Sequence, residues 1–146
     1  MAAGVRVKGI AATQARLERT GERTTKAALA ELRAGAEKVV ETARDNAPFK
    51  TGDLESAIVA EESRTGTNRR TVIEVKVDPS TFDHPHGADY FVRLHEDPSW
   101  NPGPLSRQKI AEGKRVGPKY ITRAVETHRR EIATRVRYAV ERSLKL

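Results

Sequence analysis

The side chains best suited to chemistry gather around His84-Pro85-His86, with Asp83 and Asp89 close by and His95 further along. Two histidines one residue apart can share a metal ion when a strand or turn aims both rings the same way. No helical His-Glu-x-x-His or comparable ligand signature accompanies them, and turn-rich stretches are polar without any metal, so the sequence assigns neither metal nor cofactor. Nucleophilic chemistry has less to work with. The chain contains no cysteine, which removes thiolate nucleophiles, Cys-ligated zinc and disulfides. It also lacks a Gly-x-Ser-x-Gly elbow and a phosphate-cradling glycine loop. The scattered Asp and Glu form no general acid–base pair that the sequence can identify. No catalytic residue is assigned, and the chain reads as a non-enzyme.

Two other features bear on binding. Lys119, Arg123, Arg130 and Arg137 recur at four- and seven-residue spacing, which stacks them along one stripe of a helix. Such a stripe can follow phosphates, pair with carboxylates of a neighbouring subunit, or cover apolar surface with its stems. Aromatic residues are few and are not interleaved with it, which favours the protein-contact or solvated reading over direct nucleic-acid contact. Trp100, in Pro98-Ser99-Trp100-Asn101-Pro102, is the single tryptophan. It reads either as a lid folded on the core or as an anchor for a pocket on another subunit. Trp100, Leu105, Ile110, Arg123, Arg130 and Arg137 are the candidate subunit interface.

These groups must be positioned by a modest core. Apolar residues are 37 % and charged residues 32 % of the 146, so folding depends on periodic clustering rather than bulk hydrophobicity. The length suits one domain over 1–146. Residues 1–47 hold nine Lys/Arg against six Asp/Glu, residues 48–117 ten against eleven, and residues 118–146 eight against three, so the +7 excess sits at the two ends. No apolar run resembles a signal peptide or a membrane span, which predicts a soluble protein made in the cytoplasm with no membrane partner.

Val5 to Ile10 alternates as a weak strand, and Ala11 to Arg19 reads as a short helix that Thr20-Gly21 interrupts. From Glu22 to Asn46, Leu29, Leu32, Ala36, Val39, Val40 and Ala43 mark one face of a long helix that Pro48 ends. Thr51 then caps a short helix with Asp53 and Glu55 at its positive end. Ile58 to Ser63 and Thr71 to Val77 form a hairpin, and Tyr90 to His95 reads as a third extended piece. Pro and Gly punctuate residues 96–117, an arm or loop before the last helix, which Pro118 opens as first residue. The fold class is α+β: long N-terminal and C-terminal helices on a small antiparallel sheet, with a long Pro/Gly-rich loop before the last helix.

Three blocks recur in order: Ala47-Pro48 with Thr51-Gly52, Leu54 and Ile58; Tyr90 with Glu96; and Gly117-Pro118 with Tyr120. This pattern resembles the small morphogenesis proteins of long-tailed double-stranded DNA phages, known as neck, head–tail joining or tail-completion proteins. The resemblance spans nearly the whole chain. Asp97-Pro98 departs from it, standing where the family usually has a glycine-threonine pair, and the arm from Pro98 to Arg115 is this chain's own elaboration. The resemblance implies a virion subunit without catalytic residues, assembled with copies of itself as a ring around the DNA passage, between head-connector and tail proteins. In it the eleven block residues are architectural. The other class of function that the charge allows is a small basic nucleic-acid-binding protein.

Overall fold

The structure is a computed structural model that describes residues 8–65, 70–81 and 87–145. Helix α1 runs Ile10–Asn46 and α2 Asp53–Ala57; strands β1 Ile58–Thr65 and β2 Arg70–Val77 follow. A 3-10 turn at Pro79–Thr81 leads to α3 Gly87–Glu96, α4 Pro104–Ala111 and α5 Tyr120–Leu144. The α+β class expected from the sequence is the one observed.

Helix α1 is continuous over 37 residues, about 55 Å at 1.5 Å per residue. The expected break at Thr20-Gly21 does not occur. Gly21 meets nothing within 4 Å, and one glycine in open solvent costs only about 1 kcal/mol, which a helix this long absorbs. Half of the expected N-terminal strand, residues 5–7, falls outside the described residues; of the rest, residues 8 and 9 are not strand and Ile10 opens α1. At the other end, Ala47 turns extended (φ −71°, ψ 143°) ahead of Pro48, as the proline requires. Thr51 is not the cap of α2. Gly52 takes that position at φ 89°, a left-handed geometry without side-chain capping, while Thr51 Oγ1 donates to Asp53 Oδ2 at 2.5 Å.

Helix α5 lies antiparallel along α1, as the cross-links show. Arg23 Nη2 donates to Ser143 O at 2.7 Å, Arg135 Nε reaches Glu31 at 2.9 Å, and Lys38 Nζ reaches Glu131 at 2.6 Å. Thr42 Oγ1 and His128 Nε2 are 2.7 Å apart near the other end. The two helices come close at Gly35, where an added Cβ would stand 2.6 Å from Ile132 Cγ1. The core sits at one end of this pair: Val39, Val40 and Ala43 of α1 meet Leu54, Ile58, Phe91, Tyr120 and Ala124. The sheet has two antiparallel strands, with Ile58 opposite Val77 and Ala60 opposite Val75, and these four pack on that core.

The third extended piece is helix α3. Tyr90, Val92 and Leu94 mimic the two-residue period of a strand, but Val92 is 60 % exposed while Phe91 is 4 % exposed. The apolar face in use is therefore Tyr90, Phe91 and Leu94, a helical spacing. The arm over 96–117 is also more ordered than expected. Within it α4 docks on the C-terminal end of α1. Ser106 Oγ accepts from Phe49 N at 2.9 Å and donates to Phe49 O at 3.2 Å. Lys109 Nζ donates to Arg44 O at 2.9 Å and Ala47 O at 3.1 Å, and pairs with Glu55. The lysine thus occupies carbonyls that the helix end leaves open, where a cation also suits the dipole. Pro118 is not the first residue of α5: the helix starts at Tyr120 after Lys119, which adopts a left-handed φ of 55°.

Three outcomes follow. Gly21→Ala raises stability by about 0.5–1 kcal/mol, whereas Gly35→Ala lowers it by about 1–2 kcal/mol because its Cβ overpacks Ile132; equal urea midpoints for the two variants would refute the close crossing. Lys109→Met costs about 2–3 kcal/mol, since Glu55 and the Ala47 carbonyl lose their partner and the Arg44 carbonyl keeps only Ala47 N; a loss below about 0.5 kcal/mol in the same assay would show that α4 is not held by Lys109. Hydrogen bonds from Arg33 and Lys38 hold the Glu62 and Glu131 carboxyls below the usual range. Their folded pKa is the depressed one, so their contribution is present above the unfolded value and fades as pH falls through the folded one. Acid titration at low salt should therefore show Arg33→Gln flattening the loss of stability on the acid side, and an unchanged profile would remove this pair from the account.

Candidate functional site

The three sequence blocks converge on one junction. Gly117 N donates to Asn46 O at 3.1 Å and Lys119 N donates to His95 O at 2.7 Å, so backbone bonds stitch the end of α1, the end of α3 and the start of α5. Gly117 holds φ 151° there, a backbone region open mainly to glycine. Ala47, Pro48, Leu54, Ile58 and Tyr120 are buried at this junction or beside it. Thr51 and Glu96 are exposed, and Gly52, Tyr90 and Pro118 are half-buried.

The Tyr120 ring meets the His95 ring edge-on at 5.0 Å between centroids. Burial pushes the Tyr120 hydroxyl pKa well up, so it stays a neutral phenol. His95 Nδ1 lies 2.6 Å from Glu96 Oε1, and this hydrogen bond holds the Glu96 carboxyl below its ordinary range, with Lys119 at 3.9 Å adding a weaker pull. His95 Nε2, Tyr120 OH and Arg123 Nε are buried without a hydrogen-bond partner among the described residues.

Beside the junction, residues 48–54, α3 and α4 enclose a groove of about 480 Å³. Pro48, Leu54, Tyr90, Leu94 and Leu105 supply its apolar lining, and Trp100 closes one side. Trp100 is half-buried and lies over Gly117: a Cβ there would be 3.7 Å from Trp100 Cζ3 and 3.7 Å from Arg123 Nη2. It acts as a lid within its own chain while still facing the groove. Asp97, accepting from Ser99 N at 2.9 Å and Ser99 Oγ at 2.6 Å, shapes the turn that brings it there.

The expected basic stripe divides. Arg123 is partly buried, donates to Gly117 O at 3.1 Å and has its pKa lowered by burial and by Arg115. Arg130 and Arg137 remain exposed on α5. Leu105 and Ile110, at 44 % and 43 % exposure, point outward from α4, while Ser106 at 2 % points inward. His84, His86 and Asp83 lie outside the described residues, Asp89 occupies the first turn of α3, and His95 belongs to the junction. Among the described residues no group of three or more His, Asp or Glu could hold a metal, and no helix is long and apolar enough to cross a membrane.

Ser106 and Lys109 carry much of this geometry without having been identified from the sequence, and His95, singled out there beside the candidate metal cluster, serves the junction instead. The one signal for the first two was the polar pair at i and i+3 behind Pro104, which faces a helix terminus rather than solvent.

No curated protein and no solved structure matches the chain. A family model does, over residues 11–97, more than half of the chain; its description is "Bacteriophage HK97-gp10, putative tail-component". The match covers α1, the sheet and α3, and with them the first two of the three blocks that meet at the junction. A phage tail component works among other virion proteins, which places its partners and its location in the particle. This chain belongs to the HK97 gp10-like family of phage tail components.

Proposed function

We propose that the chain is a non-catalytic subunit of the phage neck, where copies of it form a ring that joins the DNA-filled head to the tail. Assembly would take place in the host cytoplasm, and adjacent head-connector and tail proteins would be its other partners. The observation that carries this reading is the sheet. It has two strands of eight residues each, so among the described residues neither outer edge is paired. One edge belongs to β1 and the other to β2, and two different edges are what a head-to-tail interface needs. Symmetric self-pairing would leave the second edge open, whereas a closed ring leaves none.

The arm supports the same reading. Helix α4 turns Ser106 and Lys109 inward to hold α1 and leaves Leu105 and Ile110 outward, which costs solvation in an isolated chain. Val92, 60 % exposed on α3, is a further large apolar side chain left outside the core. The groove under Trp100 extends this apolar surface inward. Six or twelve copies are the ring sizes that the resemblance to neck proteins implies.

Replacing Leu105 and Ile110 together with Glu should leave the monomer folded, because both side chains are already exposed, and should prevent assembly. The expected phenotype is full heads and free tails that do not join, seen by electron microscopy of particles carrying the variant gene. Native mass spectrometry of the wild-type protein should show a closed oligomer that the double variant lacks. Fully joined, infectious particles made without this polypeptide would overturn the proposal.

A further inference from the structure

The antiparallel packing of α1 and α5 brings the two charged ends of the chain to one place. Ser143 meets Arg23 and Thr24, so α1 continues for about 13 residues, roughly 20 Å, beyond the end of α5. This free end of the helical hairpin combines residues 8–26, with five Lys/Arg against two Asp/Glu, and residues 136–145, with three against one. Residues 27–135 hold 18 against 17. A net +5 of the chain's +7 therefore sits on one tip, while everything between is close to neutral.

Two cations at the tip, Arg19 and Arg23, donate to backbone carbonyls, and none is held by a carboxylate among the described residues. Glu31 and Glu131 are paired with Arg135 and Lys38 further along the hairpin. Arg16, Arg19, Lys26, Arg137 and Arg142 make no ion pair among the described residues. Arg16, Arg19, Arg23 and Lys26 succeed one another at three- and four-residue steps, so they share one side of α1. Ile10 and Leu17 stand at seven-residue steps from Thr24 and Glu31, which touch α5. They extend the line of the seam past the end of α5, so Arg16, Arg19 and Lys26 run along a different side of α1 and face solvent, while Arg23 reaches across to Ser143.

We infer that this tip binds the phosphate backbone of duplex DNA. A row of four cations about 15 Å long, three of them guanidinium groups, beside a second helix that adds Arg137 and Arg142, matches a regularly spaced polyanion better than a compact acidic pocket. Nothing at the tip reads base edges, so the binding is independent of sequence. The tip belongs to the monomer and needs no ring, so its failure would leave the neck reading untouched, and the converse also holds.

The test is fluorescence anisotropy of a labelled duplex of random sequence with the full-length protein. With four to six phosphates neutralised, affinity should fall about 10²–10³-fold between 50 and 200 mM salt. Arg16→Gln, Arg19→Gln, Arg137→Gln and Arg142→Gln combined should weaken binding at least about tenfold at 50 mM salt, with the helical circular dichroism retained. The control removes the same charge from Lys50, Arg64, Arg70 and Arg129 by Gln substitution, and should lose no more than about twofold. Equal losses in the two quadruple variants, absence of binding at 50 mM salt, or displacement of the duplex by polyglutamate at matched charge would each overturn the assignment, the last in favour of an acidic protein face.

Discussion

Everything in this fold leans on the seam between α1 and α5, and the seam is uneven. The buried residues of α1 begin at Gly35, and those of α5 are Tyr120 and Ala124. Apolar burial is therefore concentrated where the helices meet α2, α3 and the sheet. Beyond Gly35 toward the free end, the helices are held by half-buried residues, exposed ion pairs and the Arg23–Ser143 and Ser143–Thr24 hydrogen bonds. Exposed pairs contribute little, roughly 0–1 kcal/mol each. The free end is the part of the hairpin that exists for something other than packing, because packing scarcely stabilises it.

The parts of the fold legible in the sequence are those where one physical signal acts alone. The helix after Glu22 shows an apolar face at three- and four-residue steps, Pro48 must stop it, and Ile73 to Val77 alternates as a strand between neighbours of opposite polarity. Misreadings arose where two signals compete. In Tyr90-Phe91-Val92-Arg93-Leu94 a two-residue and a helical period fit the same letters, and only the burial of Phe91 against the exposure of Val92 separates them. Gly21 carries a breaker's propensity, yet propensity loses to the length of the helix on either side.

The candidate site was half legible for a related reason. Block residues that set backbone shape, such as Pro48, Gly52 and Gly117, announce themselves by type, since proline and glycine have few other uses at those positions. That the blocks touch is a property of topology, and no local pattern contains it. Ser106 and Lys109 were missed because their partners are backbone groups of Phe49, Arg44 and Ala47, which every sequence possesses. A side chain that satisfies a distant carbonyl leaves no trace in the spacing of its own neighbours. Trp100 illustrates the middle case: its size made it conspicuous, but its seat beside Gly117 is set by how the arm returns to the junction.

The separation of charge from core also constrains how copies could sit together. The apolar surface of α4 and the open sheet edges lie at the packed end of the hairpin, while most of the net positive charge lies at the other end. In a ring built through the packed end, the tips either splay apart or crowd together. Cations on neighbouring tips repel once they come within about one Debye length, near 8 Å at physiological salt. Crowded tips would oppose closure unless a polyanion lay between them. Splayed tips would repel little and leave closure to the apolar contacts. Ring closure and polyanion binding are then linked by mass action in the crowded geometry, each favouring the other, and independent in the splayed one. The uneven seam permits either arrangement, because a weakly packed hairpin end can bend without disturbing the junction where α1, α3 and α5 are stitched.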